Sequence, residues 1–313
     1  MTDFVFIDSG VGGIPYMMRL LEKKPDSSCV YVADTANFPY GEKSHEQVIE
    51  CVTELVGKIR ERFAPKVIVV ACNTMSVNAL EELRSNYPDI QFVGTVPAIK
   101  LAASVSKKRR IGLLATKATC ENPYNLELKE KFASDCALVT RGDGELVSFI
   151  EHNAFTASRE ECMNAVKPAI DFFRAEGCDA VILGCTHFLN FTDVFKAVCE
   201  PDIKVVDSVD GVVRHAIEVG SVVTEFASQT SQGVPSAERG ASNEVRSRGG
   251  AQVGKNCESS NLEPAPEVLQ SKTSKHQSRC SLFITGFRDT EEENQYNVLC
   301  SRFGIQFGGL LIK

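Results

Sequence analysis

Cysteine is suited to proton transfer at carbon, because a thiol pKa near ~8.5 leaves a few per cent thiolate at neutral pH. One thiolate can remove a proton while a second thiol supplies one. A pair placed on opposite sides of one carbon would invert its configuration. Two cysteines in this chain sit in matching contexts. Cys72 follows the apolar run 67–71 and precedes Asn73-Thr74. Cys185 follows the run 180–183 and Gly184, and precedes Thr186-His187. Each context is a hydrophobic strand, a small residue, a thiol and a nearby hydroxyl. Either two related α/β halves each place a thiol at a strand's carboxyl end, where open α/β sheets build ligand sites, or two ordinary buried strands coincide.

The elements that would position these thiols are legible. Continuous apolar runs at 4–7, 30–33, 67–71, 91–94, 111–115 and 180–183 alternate with helical patterns at 14–21, 45–63, 76–87 and 159–176. Strands that are apolar on both faces and alternate with helices indicate parallel sheets. The run 4–7 leads into Asp8-Ser9-Gly10-Val11-Gly12-Gly13 and then a helix. Such a loop lets backbone amides approach an anion. It matches neither the dinucleotide fingerprint nor the P-loop. Taken alone, Asp8 and Ser9 also fit a helix cap, Pro39-Tyr40-Gly41 an ordinary turn, His187 a structural histidine and Glu151 a solvated surface.

The 313 residues suffice for about two domains. Hydrophobic residues make up 43% and charged residues 24%, as in a soluble globular protein. A net charge of −7 argues against a general nucleic-acid or anionic-membrane binder. No apolar run reaches the ~18–20 residues of a membrane helix, and the first residues lack a signal-peptide pattern. A cytoplasmic location is therefore expected. The twelve cysteines are scattered with no CxxC, which gives no zinc knuckle, redox pair or disulfide framework. No cofactor is expected: metal-ligand spacing, a nucleotide fingerprint and a phosphate pocket with a Schiff-base lysine are all missing. From 221 to 280 the chain holds eleven serines and one aromatic residue, Phe226, a composition expected to form a disordered insertion. A strand at 281–286, a short helix at 296–303 and a strand or tail at 305–312 are expected after it.

The motifs Asp8-Ser9-Gly10-Val11-Gly12-Gly13, Pro39-Tyr40-Gly41, Ala71-Cys72-Asn73-Thr74 and Gly184-Cys185-Thr186-His187 occur in this order. Together they resemble the cofactor-independent glutamate racemases over about two-thirds of the chain. The resemblance implies two flavodoxin-like parallel-sheet domains related by pseudo-symmetry, with the active site between them. Residues 1–97 would form the first domain, completed by 205–220 and 281–313, and 98–204 the second. It also implies interconversion of L- and D-glutamate by two bases without pyridoxal phosphate or metal, supplying D-glutamate to peptidoglycan. Cys72 would take the Cα proton from D-glutamate and Cys185 from L-glutamate. Asp8, Ser9, Tyr40, Gly41, Asn73, Thr74, Thr186 and His187 would bind the substrate, with Asp8 and His187 tuning the thiols. Glu151 matches a glutamate the family keeps near one thiol. The oligomeric state is left open, a homodimer included. Phe188-Leu189 departs from the aromatic-proline pair of many members, and the stretch 141–148 is atypical. The alternatives are another paired-cysteine racemase, of the aspartate or hydantoin type, and a non-catalytic binding or inhibitor protein on the same fold. His187 favours the glutamate branch over the aspartate branch, which usually carries glutamate there.

Overall fold

A computed structural model describes residues 2–153, 157–230 and 279–311. The first sheet begins with β1 (Thr2–Asp8), β2 (Cys29–Ala33), β3 (Pro65–Val70) and β4 (Gln91–Gly94). Their helices are α1 (Ile14–Lys23), α2 (His45–Phe63) and α3 (Asn73–Asn86). The chain then builds a second sheet from β5 (Arg110–Ala115), β6 (Ala137–Gly142), β7 (Ala180–Leu183) and β8 (Lys204–Val206). Around it lie α4 (Ile99–Val105), α5 (Lys117–Glu121), α6 (Tyr124–Phe132), α7 (Gly144–Asn153), α8 (Arg159–Ala175) and α9 (Thr192–Cys199). Helix α10 (Val209–Thr230) returns to the first half, and β9 (Cys280–Ile284), α11 (Thr290–Phe303) and β10 (Gln306–Leu310) complete it. The strand orders are β10-β9-β2-β1-β3-β4 and β6-β5-β7-β8. Neighbouring strands pair in parallel throughout both sheets.

Period-two alternation explains why the strands read as unbroken apolar runs. In β1, Phe4 and Phe6 enter the core beneath α1, while Val5 and Ile7 enter the core beneath α2 and α3. In β3, Val67 and Val69 go to the first core, and Ile68 and Val70 to the second. Burying each such side chain contributes about 1.5–3 kcal/mol. Helix α2 buries Val48, Val52, Leu55, Val56 and Ile59 as one stripe, and a Ser44–Gln47 capping box fixes its start.

Three sequence expectations shift at their edges. Helix α10 runs to Thr230, ten residues into the stretch assigned to the insertion, because 221–230 holds no glycine or proline to stop it. Residues 231–278, the rest of that expectation, lie outside the described residues. Helix α11 starts at Thr290, not 296, since Asp289 accepts the Glu292 amide at 2.9 Å and caps an acidic first turn. The atypical stretch before Glu151 is a tight β6–α7 turn. There Asp143 accepts the Leu146 amide at 3.1 Å and pairs with Arg141 at 3.0 Å. Among the described residues no helix is long and apolar enough to cross a membrane.

Candidate active site

The carboxyl ends of β1, β3 and β7 face a common cavity of about 920 Å³ between the two sheets. Both Cys72 and Cys185 line it, together with Ser9, Tyr40, Gly41, Asn73, Thr74, Thr186 and His187. Close backbone approach makes this possible. A Cβ on Gly12 would lie 2.6 Å from the His187 nitrogen, and one on Gly41 would lie 2.9 Å from Thr116 Cβ. Only glycine lets these loops of the first half meet the second half so closely.

Asp8 is fully buried and stands one layer back from the wall. Its carboxylate accepts the Ser9 amide at 2.6 Å and the Tyr31 hydroxyl at 3.2 Å. Helix α1 begins after Gly13 with no side-chain cap, so Asp8 and Ser9 do not serve as its cap. Burial lifts the Asp8 carboxyl above the usual range, although the His187 charge and Thr186 hydroxyl pull it down.

The two thiols have different surroundings. Cys72 immediately precedes α3, and its Sγ donates to Ser9 Oγ at 3.9 Å. Burial first, and then the Asp8 charge, push this thiol well up, which keeps it protonated. The Cys185 Sγ lies 3.6 Å from His187 Nδ1, and His187 Nε2 lies 2.7 Å from Glu151 Oε2. Glu151, on α7, also accepts the Val11 amide at 3.3 Å, and its side chain is 8% exposed. The solvated-surface alternative for Glu151 is thereby removed. Burial works against the His187 cation, but hydrogen bonds to Cys185 and Glu151 and the Glu151 charge hold its pKa well above the ordinary value. One thiol thus faces a carboxyl layer and a hydroxyl, and the other faces an imidazole–carboxylate pair.

The cavity also presents groups for a small zwitterion. Among the described residues Cys72 makes no side-chain cap on α3, and Asn73 and Thr74 at its start line the cavity, where a helix N-terminus favours a carboxylate. Among the described residues the buried Asn73 side-chain oxygen has no hydrogen-bond partner, and a ligand ammonium would satisfy it. Thr74 Oγ1 lies 3.0 Å from Thr116 Oγ1 and 3.3 Å from Thr119 Oγ1. Among the described residues, no group of three or more His, Cys, Asp or Glu is arranged to hold a metal ion.

The Asp/Glu/Hydantoin racemase family model matches residues 15–216. The chain belongs to this family. Glutamate racemases of Treponema pallidum (strain Nichols) and Proteus mirabilis are each 39% identical to it over 216 residues. The first match covers 69% of this chain and 80% of the relative, the second 68% and 74%. The solved glutamate racemase of Escherichia coli, in complex with L-glutamate and the activator UDP-MurNAc-Ala, superposes with a TM-score of 0.71 at 26% identity. That superposition covers 99% of this chain and 98% of that one. Isoform RacE1 of Bacillus anthracis, at 20% identity, TM-score 0.69 and coverage of 99% and 97%, shares the fold.

In this family member the structure also adds wall residues that sequence reading passed over. Thr116 and Lys117 follow β5, and Val147, Ser148 and His152 come from α7. Phe38 packs its ring 5.7 Å from that of His187. Thr116 had a signal, since it follows an apolar strand as Cys72 does. The α7 residues had none.

The Glu151–His187 pair yields a measurable prediction. Glu151→Gln keeps a hydrogen-bond acceptor but removes the charge that favours the imidazolium. The His187 imidazole, followed by NMR against pH, should titrate well above ~6.5 in the parent protein and markedly lower in the variant. By linkage, the raised folded pKa of His187 stabilises the protein fully below ~6.5, and this is lost as pH rises through the folded value. The stability difference between parent and variant should shrink over that rise. Equal titration midpoints would show that Glu151 does not support the cation.

Proposed function

We propose that this chain interconverts L- and D-glutamate by a two-thiol proton transfer at Cα. The observation carrying the proposal is that Cys72 and Cys185 line one cavity from two different sheets. The 39% identity to glutamate racemases supports glutamate as substrate. From L-glutamate, Cys185 as thiolate takes the Cα proton, with His187 in position to share the thiol proton. The electron pair of the broken C–H bond delocalises into the α-carboxylate. Cys72, which burial keeps protonated, delivers its proton to the opposite face. From D-glutamate the same steps run backwards, with Cys72 as the base.

In this reading the α3 amides and Thr74 receive a carboxylate, and the Asn73 oxygen receives the ammonium. Ser9, Tyr40, Gly41 and Thr186 complete the wall, while Asp8 acts on Cys72 through burial and charge. The D-glutamate formed would supply peptidoglycan. We also propose a two-domain division that follows the two sheets, with the expected bounds corrected. Val205 and Val206 pair with Val181 and Ile182 in the second sheet, so that half runs from 98 to 206. Cys280 pairs with Cys29, so the first half comprises 1–97, 207–220 and 280–311. A cytoplasmic setting agrees with the free thiols of the described cysteines.

Exchange of the Cα hydrogen in D2O, followed by proton NMR with each enantiomer, tests the reaction. Both enantiomers of glutamate should exchange without added pyridoxal phosphate or metal and after dialysis against a chelator. Aspartate should not exchange. Absence of exchange with glutamate would refute the proposal, and exchange restored only by a cofactor would refute the two-thiol mechanism.

A further inference from the structure

The end of β9 reaches the cavity wall through a chain of hydrogen bonds. Thr285, just past β9, donates its hydroxyl to Asp34 Oδ1 at 2.7 Å and accepts the Ala36 amide at 3.0 Å. Next to it, Gly286 donates its amide to Thr35 Oγ1 at 3.1 Å, and the Thr35 hydroxyl donates back to the Gly286 carbonyl. Thr285 also donates its own amide to the Ala33 carbonyl at 3.0 Å. Asp34 is buried, and its other carboxylate oxygen accepts the Tyr40 hydroxyl at 2.5 Å and the Asn37 side-chain amide at 3.0 Å. Tyr40 and Gly41 belong to the cavity wall, and Gly41 packs against Thr116 of the second half.

We infer that Thr285 is a positioning residue for the reaction: through Asp34 it fixes loop 34–41 and so sets where Tyr40 and Gly41 stand in the cavity. This rests on the racemase reading given above. The physical case is one of satisfied partners. Tyr40 spends its proton on Asp34, so its phenol is an anchored wall and not a free donor. Burial, followed by the Asp34 charge, raises its pKa and keeps that proton in place. Of the loop residues 35–39, Ala36 is exposed and the others are only partly buried, so packing alone holds them weakly, and the hydrogen bonds from Thr285 and Gly286 supply the outer constraint. Thr285 lies beyond residue 216, where the family match ends, so the constraint comes from outside the matched segment.

The test compares Thr285→Val, which keeps shape and loses the hydroxyl, with Thr285→Ser, which keeps the hydroxyl. Deuterium uptake by amides 34–41 should rise in the valine variant and stay near the parent level in the serine variant. In glutamate racemisation, kcat/KM of the valine variant should fall by about tenfold, a size consistent with losing one hydrogen bond to a charged group. That fall should include a raised KM, and serine should restore it. The lost hydrogen bond also lowers the melting temperature by a few degrees, so the KM change and the local exchange at 34–41 are the readouts that identify the role. A general structural role would lower the melting temperature without this local exchange or KM change. Parent-like kinetics and parent-like protection of 34–41 in Thr285→Val would overturn the inference while leaving the racemase reading intact. A parent protein inert toward glutamate overturns that reading first, and this role with it.

Discussion

Replacing Cys72 by alanine is expected to abolish racemisation of both glutamate enantiomers, and replacing Cys185 by alanine is expected to do the same. Each direction consumes one base and one acid, and each thiol serves once in each role. Losing a positioned acid or base typically costs 10²–10⁴ in rate, and here one substitution removes a partner from both directions. Serine at either position should do little better, because its hydroxyl is a far weaker acid than a thiol. A sharper measurement uses a substrate analogue with a β-leaving group. Elimination needs one base and no reprotonation at Cα. The Cys72→Ala protein should then process only the L form, and the Cys185→Ala protein only the D form. Retention of parent-rate racemisation by either alanine variant would exclude the two-thiol mechanism. Elimination from both enantiomers by a single variant would show that a base other than the remaining thiol is at work.

Ending the chain before Cys280 should leave a protein that does not fold. Strand β9 lies inside the first sheet, paired in register with β2 from Cys29↔Cys280 to Ala33↔Ile284. Removal uncovers the β2 edge and deletes Leu282, Ile284, Tyr296, Leu299, Ile305 and Leu311 from the core. At ~1.5–3 kcal/mol for each large buried side chain, the loss is on the order of 10 kcal/mol. That equals the whole stability of a typical domain, ~5–15 kcal/mol. An open, apolar strand edge also favours aggregation. The truncated chain should appear in the insoluble fraction, and any soluble remainder should lack a cooperative thermal transition. A soluble truncated protein with a parent-like melting curve would show that β9, α11 and β10 add little to the core.

Much of the architecture was legible in the residues themselves. The runs at 67–71 and 180–183 announce strands buried on both faces, because such strands admit no polar alternation. Glycine after β1 marks a loop that must approach something closely. Helix α2 shows its boundaries in its periodic stripe and Ser44 cap. The thiols at Cys72 and Cys185 were visible because each ends an apolar strand, and strand ends are where parallel sheets open toward a ligand.

The pairings between distant segments were not legible. Glu151 joins His187 across 36 residues and Val11 across 140, and its local sequence reads equally well as a solvated helix face. Thr285 meets Asp34 across 251 residues, with nothing in either neighbourhood to signal the other. The opposite settings of the two thiols likewise depend on which loop of one sheet is pressed against the other. The sequence by itself determined the long apolar strands but not β6 or β8, the helices α1, α2, α3 and α8 and part of α11, and the two candidate thiols, because these follow from local periodicity and side-chain chemistry. Only the tertiary structure decided that Asp8 stands behind the wall, that Glu151 packs against His187, and that Thr285 and Gly286 hydrogen-bond to the cavity loop. Burial and hydrogen-bond partners are properties of packed segments, and no single segment contains them.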